Sequence, residues 1–405
     1  MKGKGTWKAW LNSLIPGIIT VAVVFGPSKV TIASKLGAQY GSALLWIIVV
    51  AIFFMAIYTN IAARIGIATN QSLLTTIRNK WGSAVAGIIG LGVFAVCTSF
   101  QIGNAVGAGI AIGEFTHTPS KPWIIIVSLA AIALLFARRF YALLSKVMIG
   151  VVLLMLFSFL LTCILSHPSL NEIGQGFIPT VPHGSESLVI AFVASCFSMV
   201  AAFYQSYLVQ QRASQLSDEA RRGMKDRSLT GMLMLGVMSA AVMLCAAAVL
   251  HPRGISLQSA RDMGKALEPL FGLRASQLFL LGLFASSFSA LVGNAVLGGT
   301  VFSDAVKWGY SMDQLRVKIC IAAIIALGAV LAYIFGAMPL QMIVFAQGIT
   351  ILIVPVIGLA LLLISNDATV MGEWKNNLFY KVSAIAGLLL ILILAGMNIK
   401  TLFFK

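Results

Sequence analysis

The chain has 405 residues, of which 59% are hydrophobic and only 10% are charged, and its mean hydropathy is +0.97. A soluble domain carries roughly 25% charged residues, so this composition excludes a soluble globular enzyme or a soluble binding domain. The net charge of +16 suggests nucleic acid at first sight, but the positions of the basic residues argue against that.

Apolar runs long enough to cross a bilayer, about 20 residues each, follow one another along the whole chain. They leave no room for a soluble domain, so we expect an all-α integral membrane protein in which residues 1–405 form one transmembrane domain. We predict eleven spans, at 11–34, 43–67, 83–113, 122–137, 144–166, 187–211, 229–250, 276–302, 318–336, 340–364 and 382–403.

The basic residues orient these spans, because the cytoplasmic loops of membrane proteins are enriched in Lys and Arg. With the N-terminus inside, 19 of the 28 Lys and Arg residues fall on the inner side, and the odd number of spans places the C-terminus outside. The segment 212–228 is then a cytoplasmic helical linker, whereas 167–185 and 251–275 face outward. The predicted partners are the bilayer of the cell membrane and a small solute or ion, with no nucleic acid and no obligate protein partner.

The sequence predicts no metal centre and no catalytic centre. All twelve carboxylates and all four histidines fall in loops or at span ends. Without an acid–base or nucleophile pair in mid-membrane, we expect no enzyme activity and no cofactor. The cysteines lie inside spans at irregular spacing, with neither a disulfide pattern nor a metal-ligand pattern; they are Cys97, Cys163, Cys196, Cys245 and Cys320.

Lys29 is the ionisable residue that the eleven spans place well inside the membrane. A charge there costs at least about 2.5–3.5 kcal/mol and marks a candidate functional residue. It follows Gly26-Pro27-Ser28, and a Gly-Pro pair loosens a helix and removes a backbone donor. Such a break survives in lipid only where it is buried in protein or lines a cavity. We therefore predict a binding site at Gly26, Ser28 and Lys29, the alternative being a lysine that reaches to the outer surface.

A cavity around Lys29 needs neutral polar partners, and several lie within the spans. Each of them, taken alone, is more often a contact between helices than a ligand group; Asn60, Asn294 and the serines at 286, 287 and 289 are interpreted in that way. The candidates for the site are Gln101, Asn104, Ser195, Ser198, Met199, Gln205 and Gln347.

Five segments carry a further pattern: LIPGIITVAVVFGPSK at 14–29, LGAQYG at 36–41, AARIGIAT at 62–69, LVQQR at 208–212 and FAQGITILIVPVIGLALLLISNDATVMGEW at 345–374. In this order they resemble the Nramp family of proton-coupled divalent metal transporters. The resemblance implies the LeuT-type fold of two inverted five-helix repeats, about 11–166 and 187–364, with an extra helix at 382–403. It also implies that helix 1, and helix 6 as well, is broken at mid-membrane.

The chain departs from this family at the residues that carry the chemistry. By the resemblance, the family's metal-binding Asp falls at Gly26 and its Asn at Lys29. The family's metal-ligating Met falls at Ser198, or at Met199 if the register slips by one. The proline of the family's sixth helix is absent.

These departures weaken the case for metal transport, because a divalent cation needs anionic or strongly donating ligands. A protonated lysine at about 4 Å would repel a dication by roughly 8 kcal/mol at an effective dielectric near 20. The family's acidic proton carriers on helix 3 fall near Gln101 and Asn104, which cannot titrate. We therefore expect ordinary transition-metal transport to be lost and Lys29 to be the candidate proton carrier.

The leading hypothesis is secondary active transport of a small anion or a carboxylate-bearing solute, either bicarbonate-like or an organic acid. Lys29, the free amides near Gly26–Ser28 and the serines at 195 and 198 would form a donor-rich pocket. One alternative is a proton-coupled divalent metal transporter with altered ligands, in which Lys29 points away and Met199 or backbone carbonyls bind the metal. Another is a non-transporting membrane sensor in which Lys29 is a fixed cation.

Overall fold

The computed structural model describes residues 16–137, 140–214, 228–255, 257, 262, 273–335 and 340–403, and all the regular structure in these ranges is helical. The helices are α1 Pro16–Val24, α2 Pro27–Tyr40, α3 Leu45–Ala68, α4 Leu73–Trp81, α5 Ser83–Thr116, α6 Ser120–Leu135, α7 Phe140–Leu165, α8 Leu170–Gln175, α9 Glu186–Cys196, α10 Met199–Ala213, α11 Ser228–Val249, α12 Leu273–Ala305, α13 Leu315–Phe335, α14 Leu340–Ser365, α15 Ala368–Met371 and α16 Leu378–Phe403.

The described helices agree with a multi-pass membrane protein. Eight are long and apolar enough to cross a membrane, and two bent helix pairs would bring the number to ten. The 16-residue helix α6 coincides with the fourth predicted span; it is apolar but shorter than the eight membrane-crossing helices. Every one of the eleven predicted spans coincides with a helix or a helix pair, although residues 11–15 of the first lie outside the described residues. The same holds for 215–227 of the predicted cytoplasmic linker and for most of 256–272.

The first span is broken as predicted. Helices α1 and α2 meet at a bend of 64°, with Phe25 and Gly26 between them and Pro27 as the first residue of α2. Proline fits there because the first helical residue needs no backbone N–H. The break is therefore a consequence of local sequence.

The sixth span is also interrupted, although it lacks a proline. Helix α9 ends at Cys196 and α10 begins at Met199, and this span bends less than the first, since Glu186–Ala213 still behaves as one membrane-crossing segment. The Ser198 hydroxyl accepts a hydrogen bond from the Ala201 amide at 3.4 Å, so it acts as the N-cap of α10. A serine cap thus provides the helix start at this position.

Close backbone packing brings the half-helices into position. A Cβ on Gly37 of α2 would lie 2.1 Å from the Met243 carbonyl oxygen of α11, and a Cβ on Gly66 of α3 would lie 2.4 Å from the Ser206 carbonyl oxygen of α10. Membrane helices associate through such small residues because lipid offers no hydrophobic driving force between them.

The sequence did not predict α4, which packs over the C-terminal end of α12. Ser72 caps α4 by accepting a hydrogen bond from the Thr75 amide and donates one to Asp304. Asp304 lies one residue before the end of α12, where a span-end position was expected, but it is only 3% exposed. It also accepts a hydrogen bond from the Tyr207 hydroxyl at 2.7 Å and pairs with Arg78 at 3.5 Å.

The charge pattern places the loops between α3 and α5, between α12 and α13, and between α14 and α16 on the cytoplasmic side. Residues at or next to the first of these loops contact the other two. Arg78 of α4 reaches Asp304 of α12, and Arg64 at the end of α3 donates a hydrogen bond to Asn376 before α16 over 3.2 Å. The orientation of the two termini across the membrane remains a prediction.

Candidate functional site

A small cavity lies where the two broken spans meet. Its volume is about 40 Å³, which corresponds to roughly three water-sized groups. The ends of α1 and α9 and the beginnings of α2 and α10 form most of its wall, and α5, α12 and α14 complete it. The lining residues are Val23, Val24, Gly26, Ser28, Lys29, Phe100, Asn104, Ala194, Ser195, Ser198, Asn294 and Thr350.

Lys29 lies in the first turn of α2 and is 1% exposed. No described oxygen atom accepts a hydrogen bond from its Nζ, and the Cys196 thiol is the polar side chain that interacts with it. A lysine that reached the outer surface would be far more exposed, so the geometry does not fit the surface-reaching alternative. Lys29 therefore lines the cavity and carries a buried amine for which no described oxygen atom is an acceptor.

Gly26 forms the N-cap of α2 with φ −98° and ψ 177°, a conformation open to any residue. A Cβ at this position would lie 3.1 Å from Ala290 Cβ and 3.2 Å from Asn104 Oδ1. Both contacts are tight, so neighbours would have to move before an acidic side chain could be placed here. This packing fits glycine better than a residue with a side chain.

Asn104 and Gln101 on α5 form a short hydrogen-bonded chain. Gln101 Nε2 donates to the Leu291 carbonyl oxygen at 2.8 Å, and Asn104 Nδ2 donates to Gln101 Oε1 at 2.9 Å. Asn104 lines the cavity, whereas the buried Gln101 lies behind it. The sequence placed both residues in the candidate site, and of the two it is Asn104 that lines the cavity in the structure.

The hydroxyl groups of the cavity come mainly from helix ends. Ser28 lies in the first turn of α2, and Ser198 caps α10. Ser195 donates to the Phe192 carbonyl oxygen at 2.8 Å. The N-terminal ends of α2 and α10 carry partial positive charge, so two half-helix dipoles and one lysine favour a negative group here.

Asn294 makes the contact between helices that the sequence predicted, and it also lines the cavity, which the sequence did not predict. Its Nδ2 donates to the Val23 carbonyl oxygen at the end of α1 over 3.1 Å. That carbonyl loses its helical partner because α1 stops at Val24. The sequence showed an Asn within a span and a helix break in another span. It could not show that α12 packs against α1, which is what brings Asn294 to the break. Phe100 and Thr350 were missed as well.

Of the predicted site residues whose side chains the structure describes, Met199 and Gln205 are, like Gln101, not among the lining residues. Met199 is fully buried, and its Cε lies 3.1 Å from the position of a Cβ on Gly358. Gln205 contacts Thr20 on α1, Oγ1 to Oε1 at 2.5 Å. Gln347 lies on α14, but its side chain falls outside the described part of the chain.

The donor set of the cavity differs from that of a metal site. The described residues contain no group of three or more His, Cys, Asp or Glu side chains that could hold a metal ion. The lining residues offer a lysine, hydroxyls and amides, with no carboxylate.

The sequence matches a known family model and curated relatives along most of its length. A family model described as "Natural resistance-associated macrophage protein-like" (Nramp) matches residues 17–401. The divalent metal cation transporter MntH of Deinococcus radiodurans is 26% identical over 372 residues, covering 89% of this chain and 83% of the relative. MntH of Yersinia pestis is 24% identical over 400 residues, covering 96% and 94%.

Solved structures agree on the fold. A manganese transporter of Eremococcus coleocola, crystallised as a mutant, superposes with a TM-score of 0.79 at 19% identity over 99% of this chain and 88% of that chain. MhsT in complex with L-phenylalanine gives a TM-score of 0.60 at 11% identity over 94% and 98%. These neighbours have the LeuT-type fold, as the resemblance implied. The chain therefore belongs to the Nramp family of membrane transporters.

Proposed function

We propose that this Nramp-family transporter carries a small anionic solute, whose negative charge is bound by Lys29. One observation carries the proposal: Lys29 is 1% exposed, its amine has no described oxygen partner, and the residue lines a cavity without a carboxylate. A buried ammonium without a counter-charge costs several kcal/mol. A bound anion would supply the missing counter-charge.

The same geometry separates anions from dications. At about 4 Å and an effective dielectric near 20, a monovalent anion gains roughly 4 kcal/mol from a protonated lysine, whereas a dication loses roughly 8 kcal/mol. Neutralising Lys29 removes the repulsion but leaves only hydroxyl and amide ligands. The charge of the site thus supports an anion over a divalent metal.

The size of the cavity narrows the class further. Room for roughly three water-sized groups suits an inorganic anion or the smallest carboxylates, such as bicarbonate or formate. A larger organic acid would require the helices around the 40 Å³ cavity to separate. We therefore favour a small inorganic anion such as bicarbonate over an organic acid.

Lys29 also serves as the proposed proton carrier. Protonated, it binds the anion; when it gives up its proton on the other side of the membrane, the attraction disappears and the anion leaves. Gln101 and Asn104, at the positions of the family's acidic relay, hold amides that cannot replace it. A single lysine would then couple proton and anion movement.

Divalent metal transport is the second candidate, and the named relatives favour it, because MntH is a divalent metal cation transporter and the Eremococcus coleocola protein is a manganese transporter. On this hypothesis, Lys29 is neutral, and Asn104 Oδ1, Ser198 and backbone carbonyls at the two breaks bind the ion. Such a site would be unusually weak for a divalent cation.

Uptake into proteoliposomes separates the two candidates. We expect uptake of bicarbonate (hydrogencarbonate) to require Lys29, to be abolished in Lys29→Ala, and to be replaced by binding without turnover in Lys29→Arg, because arginine does not release its proton. We expect no saturable manganese binding by titration calorimetry. Manganese uptake that persists in Lys29→Ala but is lost in Asn104→Leu would overturn the anion proposal in favour of the metal candidate.

A further inference from the structure

The orientation of one amide group gives the cavity a fixed hydrogen-bond acceptor. The Leu291 carbonyl can only accept, so Gln101 must direct its Nε2 toward it and its Oε1 toward Asn104. Asn104 must then donate through Nδ2 to that oxygen. The backbone carbonyl therefore determines both amide orientations.

These hydrogen bonds leave the Oδ1 atom of Asn104 on the cavity side. The oxygen lies 3.2 Å from the position that a Cβ on Gly26 would occupy, and no described residue donates a hydrogen bond to it. Asn104 is itself 3% exposed. Asn104 thus presents an unused acceptor to the cavity, and Lys29, which also lines the cavity, carries a buried amine donor that has no oxygen partner.

A ligand that satisfies both groups must accept from Lys29 and donate to Asn104. The hydroxyls of Ser28, Ser195 and Ser198 do not discriminate, because a hydroxyl can either donate or accept. A donor-free anion would place its lone pairs against the Asn104 oxygen or leave that oxygen unpaired. Sites built to hydrogen-bond a substrate hydroxyl reject analogues that lack it.

We infer, building on the proposed function, that the transported anion carries a hydrogen-bond donor of its own: it is a protonated oxoanion of the hydrogencarbonate class. Nitrate and formate have similar size and the same charge but no such hydrogen. The site should therefore accept hydrogencarbonate and discriminate against both.

The test is titration calorimetry on the full-length detergent-solubilised protein, with hydrogencarbonate, nitrate and formate as probes at a pH at which hydrogencarbonate predominates. We expect hydrogencarbonate to bind at least about tenfold more tightly than nitrate or formate, as for the loss of one buried hydrogen bond. Equal affinities that all depend on Lys29 would overturn this inference but leave the proposed anion function intact. Absence of binding by every probe would overturn both.

A variant that does not touch the ligand gives the sharper result. Gln101→Met removes the partner of Asn104, so the amide is free to turn and present Nδ2 to the cavity. We expect the hydrogencarbonate-to-nitrate preference to fall at least about tenfold, through weaker hydrogencarbonate and stronger nitrate binding. Ser239→Ala is the control: the Ser239 hydroxyl is buried and donates only within α11, to Leu235, and its preference should equal that of the wild type.

A second variant keeps the inference testable if Gln101→Met does not yield monodisperse protein. Asn104→Leu removes the acceptor itself at similar volume. We expect hydrogencarbonate binding to weaken about tenfold and nitrate binding to stay the same. An unchanged preference in either variant would show that Asn104 does not determine the selectivity.

Discussion

Replacing Lys29 by methionine should stabilise the ligand-free protein, although it removes a residue at the centre of the site. The side chain is 1% exposed and has no described oxygen partner. A buried charge without compensation costs several kcal/mol, and methionine fills a similar volume with a flexible apolar chain. We expect a gain of about 3 kcal/mol in the free energy of unfolding. The gain should grow as the pH falls, because protonation charges the buried amine.

The assay is thermal unfolding of detergent-solubilised protein in a buffer whose only anion is too large for the cavity. Lys29→Met should melt at a higher temperature than the wild type. Added hydrogencarbonate should raise the melting temperature of the wild type alone, since a ligand stabilises only the state that binds it. The matched control is Lys35→Met on the same helix, where the lysine is partly exposed and the change should be small.

A lower melting temperature for Lys29→Met at every pH would refute this reasoning. It would mean that the amine already has a partner that compensates its charge. An undiminished stabilisation of the variant by hydrogencarbonate would separately refute the role of Lys29 in anion binding.

Three other predictions concern packing and topology. Asp304→Asn should destabilise the protein by about 2–4 kcal/mol, because it leaves the largely buried Arg78 without its counter-charge. Tyr207→Phe removes one hydrogen bond to the same carboxylate and should cost only about 1 kcal/mol. Thermal unfolding that shows the larger loss for Tyr207→Phe would contradict this prediction. Gly66→Ala, whose Cβ would lie 2.4 Å from a backbone oxygen, should impair folding, whereas Gly87→Ala, with no heavy atom within 4 Å, should be neutral or slightly stabilising when both are compared by size-exclusion chromatography. Ser217→Cys should react with an impermeant maleimide only from the cytoplasmic side, because the basic segment around it is predicted to be internal; labelling from outside would reverse the topology.

The sequence by itself determined the elements of the fold. A helix that crosses a bilayer must satisfy its own backbone hydrogen bonds and present about 20 apolar residues, and this requirement is visible residue by residue. The break in the first span was equally local, because Gly26 and Pro27 act on their own backbone. Lys29 was identifiable as a candidate because a charge within a span is too costly to be incidental.

Only the tertiary structure decided which neutral polar residues line the cavity. Asn104 faces the cavity whereas Gln205 contacts α1, and Asn294 joins the site by capping the end of that helix. In each case the result depends on how far one helix is rotated and which neighbour it meets. Apolar periodicity carries little of that information when both sides of a helix face protein or lipid.

Contacts and caps that the sequence does not display also explain the burial of Asp304 and the break in the sixth span. Asp304 sits near a span end, yet α4 covers it, and α4 is too short and polar to be predicted as a span. The break in the sixth span needed no proline, because Ser198 caps α10. Local sequence determines where helices can form, but the contacts between distant segments determine which buried polar groups find a hydrogen-bond partner and which, like the amine of Lys29, have no described oxygen partner.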